Sequence, residues 1–205
     1  MNKIKYSTLA ANVMESDFKE VEYLKILADF VKAEFTVEAE VGAVALEQIS
    51  EYTQLKEVIQ KTDSDIMMLD PALSDLLLAS FPQIPSEVRE SGFADSMLRQ
   101  EGKLWPRNLI SMALNELVIE TLPKLDTHSM AYVTGSNALT QMCMALAIKL
   151  GFQKIVLVSE NYEEAKLRAE KISKLFFSID ITVLDDSELT LQPNNGTILF
   201  NCVSQ

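Results

Sequence analysis

The residues with the clearest chemical potential are Gly135-Ser136-Asn137-Ala138-Leu139-Thr140, set between an apolar run and a helix-forming segment. In a dinucleotide fingerprint the first glycine permits a tight strand-to-helix turn. The second lets the backbone approach a pyrophosphate, and the third lets helix and strand pack closely. Here Gly135 keeps the first place, Asn137 takes the second and Thr140 the third. Asn tolerates a left-handed backbone, but its side chain, with that of Thr140, would crowd a phosphate. The candidate cofactor contacts are Gly135, Ser136, Asn137 and Ala138, and the cradle they offer is weak. Other chemistry-bearing residues are sparse. His128, the single histidine, has no Ser, Cys or carboxylate pattern tying it to a triad and reads as a surface or satisfied loop residue. Cys143 and Cys202 lack metal-type and CxxC spacing, so they read as buried, reduced thiols, and no metal site is expected. Trp105-Pro106-Arg107 places an aromatic beside a cation, for packing between lobes or for stacking on a ligand.

The elements that must position these residues follow from periodicity. Residues 3–10 suit a short strand. From Asp17, apolar residues recur at helical spacing through Phe18, Val21, Leu24, Leu27, Ala28 and Val31. Glu34–Val41 alternates as a strand, and a helix is expected from about Val44 to Gln60. Ile66–Leu69 is a short apolar strand closed by Asp70-Pro71, with Pro71 suited to a first helical turn. Pro82 and Pro85 mark a loop into a short helix. Phe93–Arg99 and Lys103–Trp105 read as strands joined at Glu101-Gly102. Asn108–Glu120 is a helix stopped by Pro123. Ala131–Thr134, Asn137–Leu150, Lys154–Ser159, Tyr162–Phe176, Asp180–Leu184 and Thr197–Cys202 then alternate strand, helix, strand, helix, strand, strand. Alternation of this kind predicts parallel strands with right-handed crossovers, an α/β doubly wound sheet. A smaller α/β lobe, residues 1–106, is expected before a Rossmann-like lobe, residues 107–205.

Composition bounds the function. The chain has 205 residues and a formal net charge of −12, spread rather than gathered in a tail. Such a surface repels phosphates, so neither nucleic acid nor an anionic membrane surface is an expected partner. No apolar run is long enough for a membrane span, and no apolar stretch follows Lys3 and Lys5 as in a secretory signal, so a cytoplasmic protein is expected. Asn195-Gly196-Thr197 reads as a tight turn rather than a glycosylation site.

The order of segments resembles the shikimate dehydrogenase family, which joins an N-terminal substrate lobe to a Rossmann lobe for NADP or NAD. Ser91–Leu104 is similar to the family's GAVNT strand pair with its Gly-Lys turn, and Tyr132–Leu150 to its GxGGxxxA strand-turn-helix. Val156–Ala169 is similar to the strand leading into NRTxxKA, and Phe200-Asn201-Cys202-Val203-Ser204 to the NATP strand end.

Residue by residue, the resemblance places the family's acid/base Lys of NVTxPxK on Leu73 and the catalytic Asp of NTDG on Ile110. Leu and Ile transfer no protons, so alcohol oxidoreduction is expected to be lost. The carboxylate-holding SxS has no counterpart between Asn12 and Phe18. The NADP-pairing Arg of NRT falls on Glu160, whose carboxylate would repel a 2′-phosphate and suit a free ribose hydroxyl; alternatively Glu160 caps the helix entered at Asn161. The expected cofactor is therefore none, or weakly bound NAD. The family continues beyond the NATP strand with a helix that folds back, whereas Gln205 is the last residue here, so a shortened member is expected. It would self-associate or take a protein partner near Leu191–Gln205 and Trp105. The leading expectation is a degenerate, non-catalytic binding or protein-interaction module. The alternatives are an NAD-dependent oxidoreductase with a replacement acid/base such as Asp70, Asp95 or Arg107, and a nucleotide or metabolite sensor.

Overall fold

The computed structural model describes residues 3–11, 25–26, 29, 32, 38–46, 51–121, 125–188 and 196–203. Of the helix expected after Asp17, Lys25, Ile26 and Asp29 are helical, as is Lys32 beyond it, and the rest lies outside the described residues. So does the segment Asn12–Phe18, and so do residues 191–195 and 204–205. Two compact units divide the chain: Met1–Pro85 with Ala94–Asn108, and Ser86–Phe93 with Leu109–Gln205.

The first unit is built on a five-stranded mixed sheet. Its strands are β1 (Lys3–Ala11), β2 (Glu38–Leu46), β3 (Ile66–Leu69), β4 (Ser96–Gln100) and β5 (Lys103–Arg107), in the order β2-β1-β3-β4-β5. β1 runs parallel to both β2 and β3, while β4 is antiparallel to β3 and β5 in turn antiparallel to β4. The helix expected from Val44 begins later. Val44–Leu46 continue β2 in register with Leu9–Ala11, and the helix α1 is Tyr52–Lys61. Ala43-Val44-Ala45-Leu46 carries no helical period of its own, so ladder pairing decides its state.

The β4–β5 turn is the expected Glu101-Gly102, with φ of 50° and 75°. Positive φ at both central residues makes a hairpin loop whose twist matches the flanking strands. After β3, Asp70 accepts from Ala72 N at 2.9 Å and Pro71 opens a 3-10 turn, Pro71–Leu73. Helix α2 (Ser74–Ser80) follows directly. Leu9, Leu55, Ile59, Met67, Leu69, Leu73, Leu77 and Met97 are all buried in this unit. Arg99 fastens the loop before β3, with Nε donating to Ser64 O at 3.0 Å and Nη2 to Thr62 O at 2.9 Å.

The second unit carries a fully parallel sheet. Its strands are β6 (Met130–Thr134), β7 (Lys154–Val158), β8 (Asp180–Leu184) and β9 (Ile198–Asn201), in the order β8-β7-β6-β9. Its helices are α3 (Ser86–Ser91), α4 (Leu109–Thr121), α5 (Ala138–Lys149) and α6 (Tyr162–Leu175). Every element expected here is present, with bounds shifted by a residue or so. α5 is buried on nearly all sides, as an apolar helix packed between sheet and helices must be. α3 groups with this unit: Glu90 pairs with Lys149 of α5 at 2.9 Å, and Gly92 lies against the Gln141 side chain. Among the described residues no helix is long and apolar enough to cross a membrane.

Candidate functional site

In the parallel sheet the strand order reverses at β6. β7 and β8 lie on one side and β9 on the other. Ligands of doubly wound folds sit in the crevice outside the carboxyl ends of the strands at such a point. A cleft of about 580 Å³ opens there, lined by Thr134–Asn137, Val158–Asn161, Asp186, Leu199 and Asn201–Val203. The structure thus brings Gly135, Ser136, Asn137 and Glu160 together in one cavity. Ala138, the first residue of α5, is instead buried in the core.

The turn is built around Gly135. Its φ is +112°, and its N–H donates to Val158 O at 2.9 Å. A Cβ at this position would stand 2.8 Å from Thr140 Oγ1 and 3.2 Å from Cys202 O, so glycine is needed for both conformation and space. Asn137 is not left-handed; its φ is −85°, and it serves as the N-cap of α5. Its Oδ1 accepts from Thr140 N at 3.0 Å and from Thr140 Oγ1 at 3.2 Å, while its Nδ2 donates to Cys202 O at 3.1 Å. Thr140 is fully buried and faces the turn from within, so it does not crowd the cleft. Asn137 obstructs an anion in another way: a helix N-terminal amide that would meet a phosphate already has its acceptor.

The opposite wall is acidic. Glu160 is exposed just after β7, and the helix cap beside it is Asn161, whose Oδ1 accepts from Glu164 N at 3.3 Å. The capping alternative for Glu160 is thereby taken by its neighbour. Glu164 accepts from Asn161 Nδ2 at 3.1 Å and from Ser136 Oγ at 3.4 Å, so one carboxylate touches both cleft-forming turns. Arg168 stands behind it at 3.5 Å. Asp186 enters from the segment after β8. Beside it, the hydroxyl and amide of Ser187 hold the Asp185 carboxyl below the usual carboxylate range. No Lys, Arg or His is among the described residues that line the cleft. At the far wall Thr134 Oγ1 donates to Asn201 Oδ1 at 2.8 Å, joining β6 to β9.

Periodicity does not mark Ser159, Asp186 or Asn201 for this cavity, or Glu164 for its bonds to the cavity-forming turns. The available signal was their place at strand ends and first helical turns, where an α/β sheet gathers its ligand contacts. The positions matched to the acid/base pair are apolar in their surroundings too. Leu73 is 2% exposed in the first unit's core, and Ile110 packs against the second unit's core. Of the replacement candidates, Asp70 caps its 3-10 turn, and Asp95 is fully buried with Ser96 Oγ donating to it at 2.8 Å. Arg107 Nη2 lies 3.4 Å from Gln100 Oε1. His128 is exposed in the turn before β6, and Trp105 lies across from Leu98 in the β4–β5 hairpin.

The second unit, then, has a Rossmann-like architecture, and solved structures carry the likeness across the chain. One is quinate dehydrogenase from Corynebacterium glutamicum in complex with NAD, at 11% identity and a TM-score of 0.72, covering 91% of this chain and 66% of that one. A second is shikimate 5-dehydrogenase from Listeria monocytogenes in complex with shikimate and NAD, at 13% identity and a TM-score of 0.70, covering 90% and 62%. A third is the ligand-free 5-ketofructose reductase of Gluconobacter sp. strain CHM43, at 14% identity and a TM-score of 0.73, covering 98% and 69%. The chain spans about two thirds of the length of these proteins. Neither a protein-family model nor a curated protein matches the sequence. The fold is that of the shikimate and quinate dehydrogenase-like proteins, and the resemblance read from the motifs holds at the level of structure.

Proposed function

We propose that this chain is a non-catalytic binding module on a shikimate-dehydrogenase-like fold, whose second-unit cleft holds an NAD-type ligand weakly and NADP more weakly still. The observation that carries this reading is the chemistry of the cleft. Glu160, Asp186 and the Ser136-linked Glu164 supply negative charge, no cation among the described lining residues opposes them, and Asn137 already occupies the Thr140 amide. A ribose diol can donate to Glu160, whereas a 2′-phosphate beside it is repelled.

Loss of oxidoreduction is supported by Leu73 and Ile110, since neither side chain moves a proton. Asp70 and Asp95 weaken the alternative of a replacement acid/base, because both carboxylates are engaged in local structure. A protein partner belongs to the same proposal. Leu199 and Val203, 52% and 59% exposed at the β9 end, offer it apolar surface. Calorimetric titration with NAD and NADP tests the ligand reading. Weak or undetectable NAD binding with weaker NADP binding is expected, and micromolar NADP affinity, about −8 kcal/mol, would overturn it.

A further inference from the structure

The edge of the parallel sheet opposite β9 carries a second groove, which has no part in the ligand reading above. Among the described residues β8 pairs only with β7, so its other side is open. Asp180 N donates to Gln153 O at 2.9 Å, and Leu184 O accepts from Ser159 N at 3.1 Å. Backbone direction alternates along a strand. The polar groups of Asp180, Thr182 and Leu184 therefore serve β7, and those of Ile181 and Val183 face outward. The side chains of Ile181 and Val183, with buried Ala169, supply the apolar part of a groove of about 490 Å³ beside one flank of α6. Exposed Lys166, Glu170 and Lys174 supply its charge, and neither lysine has an ion pair among the described residues.

We propose that the β8 edge docks an extended acidic segment of another protein, which adds a strand beside β8 and carries the pattern acid–x–apolar–x–acid. An open edge beside an apolar groove suits an added strand, whose backbone supplies affinity and whose alternate side chains supply specificity. Charge selects the occupant. A second copy paired two-fold about Thr182 would run the two α6 helices antiparallel, setting lysine against lysine and Glu170 against its own copy. An acidic strand instead meets two unpaired ammonium groups in a chain that is otherwise strongly acidic. Spacing selects the pattern. Lys166 and Lys174 stand eight residues apart, about 12 Å along the helix axis. Residues i and i+4 on one face of a strand lie about 13 Å apart. Glu170, between the lysines, disfavours an acid at i+2, where Ile181 and Val183 suit an apolar side chain. The pattern reads the same in both directions, so parallel and antiparallel addition both satisfy it. The groove shares no lining residue with the cleft, and the proposal does not rest on the ligand reading.

The test is fluorescence anisotropy of the full chain with a labelled, end-blocked peptide whose core is glutamate-threonine-valine-threonine-glutamate. Saturable binding is expected, weakened by salt, with slowed hydrogen exchange at the Ile181 and Val183 amides. Binding should weaken about tenfold in the Lys166→Glu/Lys174→Glu chain. It should weaken at least as much for a peptide N-methylated at the amides that face β8, and for one with lysine in place of both glutamates. Both substituted lysines are exposed, so the variant should melt as wild type does; if it melts lower, the modified peptides carry the test on the wild-type chain. No saturable binding up to about 1 mM overturns the proposal. So does equal binding of the glutamate and lysine peptides, and so does unchanged exchange at both amides. Self-association of the wild-type chain that the lysine substitutions abolish would assign the edge to a second copy and overturn it too. NAD calorimetry reads the cleft separately, so either reading can fail without the other.

Discussion

Replacing Asn137 by Gly probes the cleft most sharply, because it restores the second fingerprint glycine and removes one side chain with three polar contacts. Oδ1 meets Thr140 N at 3.0 Å and Thr140 Oγ1 at 3.2 Å, and Nδ2 meets Cys202 O at 3.1 Å. Glycine is itself tolerated at an N-cap, so the capping loss is a few tenths of a kcal/mol. The lost bond to Cys202 O adds about 1 kcal/mol, and the variant should be about 1–1.5 kcal/mol less stable. The same change frees the Thr140 amide toward the cleft. A bond from that amide to a charged phosphate oxygen contributes about 1.5–3 kcal/mol, part of it offset by Glu160, Asp186 and Glu164. A net gain of about 1.4 kcal/mol corresponds to roughly tenfold tighter NAD binding. Urea unfolding and NAD calorimetry on the same preparation measure both quantities. A variant as stable as wild type, or one that loses stability and binds NAD no better, would refute the assignment of Asn137 as the obstruction.

Three further outcomes follow from the geometry. Gly135→Ala should lower stability by about 2–4 kcal/mol in urea unfolding, from strain at φ +112° and overlap with Thr140 Oγ1 and Cys202 O. Burial, and secondarily the charge of Asp95, push the Tyr6 phenol up to about 12. Because the folded value is raised, the associated stability is present below pH about 10 and lost as pH rises through about 12. After allowance for the solvent-exposed part of the ring this amounts to about 1 kcal/mol, and Tyr6→Phe should remove that share of the alkaline loss in thermal melts. Leu73→Lys should restore no turnover and should cost about 3 kcal/mol or more, read by urea unfolding, since an ammonium would replace a 2% exposed core side chain.

The second unit was legible because local and global signals agree there. Asn137 and Asn161 are cap-forming residues, the first placed directly before an apolar helical run and the second before an amphipathic one, and both helices start where those residues put them. The first unit was less so. Ala43–Leu46 has neither clear alternation nor a helical period, and its pairing with β1 is a long-range event that no local pattern announces. The antiparallel sense of β4 likewise depends on where β3 lies, although its hairpin turn was visible in Glu101-Gly102. Within the site, Gly135 and Glu160 fell at the expected wall, while the parts played by Asn137 and Thr140 turned on side-chain direction.

The most direct test of the proposed non-catalytic role is a steady-state assay of the purified protein with shikimate or quinate and NAD or NADP, followed at the reduced-nicotinamide absorbance. If Leu73 and Ile110 stand where the resemblance places the family's proton-transferring pair, no turnover above the protein-free rate is expected. Turnover that scales with protein concentration and disappears when the protein is heat-inactivated would contradict it.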